Sequence, residues 1–269
     1  MTLENSPKQT LEQLVNISRQ AGLAILKWYG GDMGITHKAD DSPLTKADLA
    51  SHKLIVAELN QRWPEIPILS EESAAIPWET RQAWREYWLV DPLDGTKEFI
   101  NRNGEFTVNI ALIRNHCPVM GVVHVPVTDV SYIGAADVGA WRQQGDEAKT
   151  VIGTRRPAAA SVVVVGSRSH ANPELAKQLE KLGPHKLTSM GSSLKFCRVA
   201  EGLADFYPRL GPTCEWDTAA AQAVVEAAGG QVVKLNGSAL DYNRKEAYLN
   251  PHFFVLGDPA RDWLQPFQD

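Results

Sequence analysis

A chain of 269 residues and 29.6 kDa, 43% hydrophobic and 22% charged, has the make-up of a soluble globular protein, long enough for one large domain or two packed halves. Its net charge of −5 argues against a broad basic face for non-specific nucleic-acid binding. Cys117, Cys197 and Cys214 are odd in number and lack any Cys-x-x-Cys spacing, so neither a disulfide framework nor a zinc knuckle is indicated, and free thiols suit a reducing cytoplasm.

Met1 to Thr10 is polar and lacks the apolar stretch of a signal peptide, and no window reaches the ~20 apolar residues that span a bilayer. A cytoplasmic location is expected. From about Gln9 to Tyr29, Leu11, Leu14, Val15, Ser18, Ala21, Ile25 and Trp28 recur at helical spacing, and Gly30-Gly31 ends the helix. Asp40 to Asp48 reads as a polar loop into a second helix that buries Leu49, Ile55, Val56 and Leu59 and stops near Trp63-Pro64. Pro67 to Ser70 is a short strand delivering Glu71 and Glu72. Trp88-Leu89-Val90 is a buried strand ending at Asp91. Thr107–Ile113, Val119–Val125 and Val130–Ala135 then read as strands of an antiparallel sheet. Gln143 to Ala160, charged and without periodicity, marks a boundary between an α+β half (1–150) and an α/β half (151–269). Past it come a strand at Ser161–Val165, a helix at Pro173–Leu182 and a strand at Leu187–Met190. Ser192–Glu201 is a helix, Phe206-Tyr207 a strand and Asp217–Ala228 an alanine-rich helix closed by Gly229-Gly230. Strands at Val232-Val233 and Phe253–Leu256 complete the pattern.

The most specific stretch is Asp91-Pro92-Leu93-Asp94-Gly95-Thr96. Pro92 fixes its own φ and biases Asp91 away from helix, so a rigid turn returns Asp94 toward Asp91 and lets the Leu93 carbonyl converge with both. Gly95 opens the backbone to a ligand, and Thr96 to Ile100 reads as a first helical turn whose N–H groups favour an anion. Two carboxylates in front of an anion site repel a phosphate unless cations stand between them. Glu71 and Asp217 also stand at element ends, after Ile68-Leu69 and Trp216. A solvated acidic loop for Glu71 and a helix cap for Asp217 are the plainer alternatives. Hard oxygen ligands of this kind suit magnesium, and two ions ~3.5–4 Å apart serve in-line displacement at phosphorus. There is no Gly-x-Ser-x-Gly elbow, P-loop or Gly-x-Gly-x-x-Gly.

Leu69-Ser70-Glu71-Glu72, the Asp91–Thr96 block and Trp216-Asp217 resemble, in order and spacing, the three signatures of the lithium-sensitive, magnesium-dependent inositol monophosphatase superfamily. Within it, Thr96-Lys97-Glu98-Phe99, Gly166 to His170 and Gly191-Ser192-Ser193-Leu194-Lys195-Phe196 resemble the bacterial 3'(2'),5'-bisphosphate nucleotidases of sulfate assimilation. Inositol phosphatases usually show Thr-Thr-Asn-Phe where this chain has Thr96 to Phe99.

The resemblance implies a layered α-β-α-β-α sandwich and hydrolysis of adenosine 3',5'-bisphosphate to AMP and phosphate, with 3'-phosphoadenylyl sulfate as a further substrate; an inositol or sugar phosphate phosphatase of the same fold and a non-hydrolytic nucleotide-binding regulator are the alternatives. Attack by water would be direct, without a phosphoenzyme. Glu71, Asp91 and the Leu93 carbonyl would hold one magnesium ion, and Asp91, Asp94 and Asp217 a second. The Gly95-Thr96 backbone would receive the phosphate, and Asp48 with Thr96 would orient the water. His170, Ser192, Lys195 and Arg209 fall at positions resembling the family's nucleotide contacts; a cap for Ser192, a solvated helix face for Lys195 and a turn for His170 are the plainer readings. Arg209 ends a strand shortly before Asp217, where a guanidinium suits a second phosphate. A monomer or homodimer is expected, and peripheral contact with the inner membrane rests on the resemblance alone.

Overall fold

The computed structural model describes residues 6–38, 43–167 and 173–267. Ser6 starts helix α1 (Pro7–Tyr29) with a reciprocal capping box. Its hydroxyl accepts from Gln9 N at 3.4 Å and its own N–H donates to the Gln9 side chain at 3.1 Å. The short strands β1 (Thr36–His37) and β2 (Pro43–Leu44) pair antiparallel ahead of α2 (Lys46–Arg62). In α2 the buried face is Ala47, Ser51, Ile55 and Leu59, one residue per turn, with Asp48 beside it. Leu49 is 40% exposed and Val56 only half-buried, contrary to expectation. Leu49 lies about 200° around the helix from Ala47, and the inward position next to it is taken by Asp48.

β3 (Ile68–Ser70) runs parallel to β4 (Glu86–Asp94), with the one-turn helix α3 (Trp78–Arg81) between them. β4 continues through Pro92 instead of stopping at Asp91, because a bulge between Asp91 and Asp94 absorbs the residue that cannot donate to the ladder. After α4 (Thr96–Ile100) follow β5 (Thr107–Arg114), β6 (Cys117–Val125), β7 (Val130–Ala135), β8 (Gly139–Gln144) and β9 (Thr150–Val151). The resulting sheet has the order β3-β4-β5-β6-β7-β8-β9, antiparallel from β4 onward. Its last two strands reach into the stretch read from sequence as a boundary.

The second sheet has the order β11-β10-β12-β14-β13 and uses β10 (Val162–Ser167), β11 (His185–Met190), β12 (Phe206–Arg209), β13 (Gln231–Lys234) and β14 (Phe253–Leu256). Helix α5 (Pro173–Glu180) joins β10 to β11, α6 (Leu194–Ala200) leads to β12, and α7 (Ala219–Ala227) precedes β13.

Side-chain alternation along β4 shows how the layers stack. Trp88 and Val90 face the core shared with α1 and α2, whereas Tyr87 and Leu89 face the core shared with α6, α7 and the inner side of the second sheet. A third core, with Val164, Phe206, Phe254, Leu179 and Trp263, covers the outer side of that sheet. The layers therefore run α-β-α-β-α. Gly121 on β6 pairs with Gly134 on β7, and α7 lies flat on this bare patch. A Cβ at Gly121 would come 2.4 Å from the Ala220 carbonyl oxygen, and one at Gly134 2.5 Å from Val224 Cα. Among the described residues no helix is long and apolar enough to cross a membrane.

On the other face His124 is buried under α1, where a Cβ at Gly22 would meet its ring at 2.8 Å. Its Nδ1 lies 3.0 Å from Ser131 Oγ. Burial pushes its pKa down to about 4; Asp129 works against the shift and Arg19 adds to it. Unfolded, the ring takes up a proton near its ordinary value of 6.5. Between these values the unfolded chain binds more protons, so stability falls as the pH drops through this window, by up to about 3 kcal/mol. Glu215 and Glu226, which burial pushes up to about 7, contribute with the opposite sign, so the slope is read as the difference in urea midpoints between wild type and His124→Gln from pH 7 to 4.5. A His124 imidazole signal titrating near its ordinary value in the folded protein would refute it.

Candidate active site

The site grows from the bulge of β4. Asp91 is 1% exposed, and its Oδ1 accepts from Leu93 N at 3.0 Å, closing the turn that Pro92 begins. The Pro92 carbonyl is held from α2 by Ser51 Oγ at 2.7 Å. Gly95 adopts φ 93°, a conformation that side chains resist, and a Cβ there would press on the Glu105 carbonyl at 3.2 Å and on Ser192 at 3.3 Å. Thr96 then opens α4, with its hydroxyl 3.3 Å from Asp48 Oδ1 and 3.5 Å from the Leu93 carbonyl.

Asp48 serves two purposes. Its Oδ2 accepts from Thr45 N at 2.7 Å and Thr45 Oγ1 at 2.6 Å, which is the capping box of α2. The other oxygen is left to Thr96. The helix-cap reading and the water-orienting reading are thus compatible, one per oxygen.

From the C-terminal half comes Asp217, in a 3-10 turn at Glu215–Asp217, whose Oδ2 accepts from Cys214 N at 2.9 Å. From the other side comes Glu71, at the end of β3. Lys38 reaches both Glu71 and Glu72 at 2.7 Å. A cavity of about 280 Å³ joins these parts, lined by Glu71, Asp94, Gly95, Thr96 and Asp217 together with Ser192, Lys195, Tyr207 and Arg209. Asp91 and Leu93 are buried in the turn beneath it.

Burial pushes Asp91 and Asp217 well above the ordinary carboxylate range, and the neighbouring carboxylates push further in the same direction. Glu71 is raised by burial too, opposed by Lys38, and it is hydrogen-bonded to Asp91. So dense a set of acids in a dry site keeps its charge at neutral pH only beside cations. Among the described residues no three acidic, histidine or cysteine side chains chelate a point as placed. Instead their oxygens rest on nearby donors. The buried Asn109 adds an amide oxygen without a hydrogen-bond partner among the described residues, on a side chain whose Nδ2 lies 3.4 Å from Asp94. An all-oxygen donor set with surplus negative charge fits a hard divalent ion such as magnesium.

The same cavity also carries cations. Lys195 is 6% exposed, its Nζ 2.5 Å from the Ser192 carbonyl and 5.5 Å from the Tyr207 ring centroid. Burial lowers its pKa to about 8, with Asp94 opposing and Arg209 assisting. It does not sit on a solvated helix face. Arg209 ends β12 as expected and donates to the Pro212 carbonyl at 2.7 Å; its buried Nε has no hydrogen-bond partner among the described residues. Ser192 lines the cavity with φ 45°, one residue before the helix cap position, which is Ser193. His170 lies outside the described residues.

Sequence reasoning did not single out Lys38, Ser51, Asn109 or Ser193. Asn109 carried a signal, a lone amide inside the apolar run Thr107–Ile113, and register places it opposite Asp91. The other three are recognisable only by what they touch.

The sequence profile of the inositol monophosphatase family matches residues 6–255. The chain is 52% identical over 248 residues to the 3'(2'),5'-bisphosphate nucleotidase CysQ of Escherichia coli strain K12, covering 91% of this chain and 98% of that protein. It is 37% identical over 263 residues to the enzyme of the same name from Haemophilus influenzae, covering 96% of each. Among solved structures, CysQ from Bacteroides thetaiotaomicron superposes with a TM-score of 0.82 at 42% identity, covering 92% of this chain and 97% of that one.

Proposed function

Because this chain belongs to the inositol monophosphatase family, we propose that it is a 3'(2'),5'-bisphosphate nucleotidase. It removes the 3'-phosphate of adenosine 3',5'-bisphosphate to give AMP, and acts likewise on 3'-phosphoadenylyl sulfate, in sulfate assimilation and nucleotide recycling. Enzymes of the family depend on metal, generally magnesium. The observation that carries the reading is one cavity lined both by the acids Glu71, Asp94 and Asp217 and by the cations Lys195 and Arg209.

Glu71, Asp91 and the Leu93 carbonyl would hold one ion, and Asp91, Asp94 and Asp217 another. When bound, the ions supply positive charge that admits a phosphate beside the acids and makes a nearby water more acidic. Every other part belongs to the chain. The Thr96 hydroxyl donates to Asp48 Oδ1, so its lone pairs are free to accept from the attacking water. Asp48 Oδ2, fixed by Thr45, keeps that pair in register. The Gly95 and Thr96 backbone borders the phosphate. Water attacks phosphorus, the bond to the 3'-oxygen breaks, and the leaving oxygen takes up a proton. Position and charge carry the catalysis, with no covalent intermediate.

The distant 5'-phosphate falls to Arg209 and Lys195, from two elements of the C-terminal half. A lost charge-assisted contact costs ~1.5–3 kcal/mol, roughly ten- to a hundredfold in kcat/KM. Arg209→Ala is therefore expected to lose about that factor on adenosine 3',5'-bisphosphate and almost nothing on 3'-AMP. Equal losses on both would make Arg209 structural. Phosphate release from adenosine 3',5'-bisphosphate, inositol 1-phosphate and fructose 1,6-bisphosphate, each with and without magnesium, tests the reading as a whole. Preference for either of the last two substrates would reject it.

A further inference from the structure

Two of the acids come from opposite halves of the fold, and a single buried hydroxyl joins them. Ser193, 1% exposed, donates from its backbone N–H to Asp94 Oδ2 at 2.6 Å. Its Oγ lies 2.6 Å from the same Asp94 oxygen and 2.7 Å from the Asp217 carbonyl oxygen. Oγ also accepts from Asn109 Nδ2 at 2.9 Å. With that lone pair committed, its one proton lies between Asp94 and the Asp217 backbone. The turn that carries Ser193 has little freedom. Ser192 holds φ 45°, and a Cβ at Gly191 would come 2.6 Å from Glu98 Cγ and 2.8 Å from the Glu105 carbonyl.

We propose that Ser193 is a positioning residue whose hydroxyl sets the spacing between Asp94 and Asp217, and so decides the affinity of the cation they share. This rests on the two-cation reading above. A first set, Glu71 with Asp91, has no contact with Ser193 in this arrangement, so the effect belongs to one ion only. Partners that orient a ligand typically change metal affinity ten- to a hundredfold when removed.

The test is calorimetric titration of magnesium into the full chain without substrate. Wild type is expected to show two binding steps. Ser193→Ala keeps the backbone N–H to Asp94 and loses only the hydroxyl. It should weaken the second step by about ten- to a hundredfold and leave the first unchanged. Two wild-type steps that both survive Ser193→Ala unaltered would overturn the proposal. Equal weakening of both steps, with a lower melting temperature in metal-free buffer, would mark Ser193 as merely structural and overturn it too. Wild type that binds one ion or none would instead defeat the two-cation reading. Should Ser193→Ala fail to fold, Ser193→Cys keeps the volume and the backbone N–H but replaces the hydroxyl by a poor hydrogen-bond donor. It must then give the same selective loss, and an unaltered second step would overturn the proposal.

Discussion

Asp91→Asn is expected to abolish turnover at any practical magnesium concentration and, at the same time, to raise the melting temperature of the metal-free protein. Asp91 is the carboxylate assigned to both ions. Removal of partners that merely orient a ligand already costs ten- to a hundredfold in affinity, so loss of a shared ligand should cost more than about a thousandfold in activity. The stability effect has the opposite sign. Asp91 is buried, hydrogen-bonded to Glu71 and pressed by the charges of Asp94 and Asp217. The amide keeps the shape and an acceptor for Leu93 N while relieving that repulsion, a trade of function for stability found at many strained sites. Melts with and without magnesium, alongside phosphate release, separate the two effects. Substantial turnover in Asp91→Asn with an intact circular dichroism spectrum would remove the shared-ligand assignment. A lower metal-free melting temperature would remove the repulsion argument.

How far these properties could be read from residue order varies along the chain, for physical reasons. Asp91-Pro92-Leu93-Asp94-Gly95-Thr96 is legible because each backbone constraint is local: a missing donor, a fixed φ, a φ open to glycine. Even there the strand was expected to end at Asp91, because a bulge depends on the partner strand that carries it. Asp48 is the harder case. Its capping role is visible in Thr45-x-x-Asp48, but its second oxygen meets Thr96, a residue 48 positions away. The same residue disturbs the apolar period of α2 and makes Leu49 look buried. β9 escaped notice because both its residues are exposed and carry no alternation. Ser193 sits in the same short motif as Ser192, and order alone cannot say which serine faces the cavity and which holds Asp94.

Gly121→Ala should lower both stability and activity, although Gly121 touches no substrate and lies in the middle of β6. The added Cβ would sit 2.4 Å from the Ala220 oxygen, 2.7 Å from its Cα and 2.9 Å from its carbonyl carbon. All three are backbone atoms of α7, so no side chain can rotate away and the helix must lift from the sheet. Overpacking of this kind costs about 1–3 kcal/mol, or a melting temperature lower by roughly 2–4 °C per kcal/mol for a chain of this size. The catalytic loss follows from where α7 begins. Its first residue, Ala219, is two positions after Asp217, whose carbonyl is held by Ser193 and whose side chain is held by Cys214 N. A helix displaced by an ångström carries that ligand with it, and misplacement on this scale costs about a hundredfold in rate. Extra magnesium should restore part of the activity, since a displaced ligand weakens the ion more than it alters the water-orienting pair Asp48 and Thr96. It should restore none of the stability lost in metal-free buffer. Wild-type kcat/KM in Gly121→Ala with a lowered melting temperature would mean that the turn at Glu215–Asp217 is anchored independently of α7.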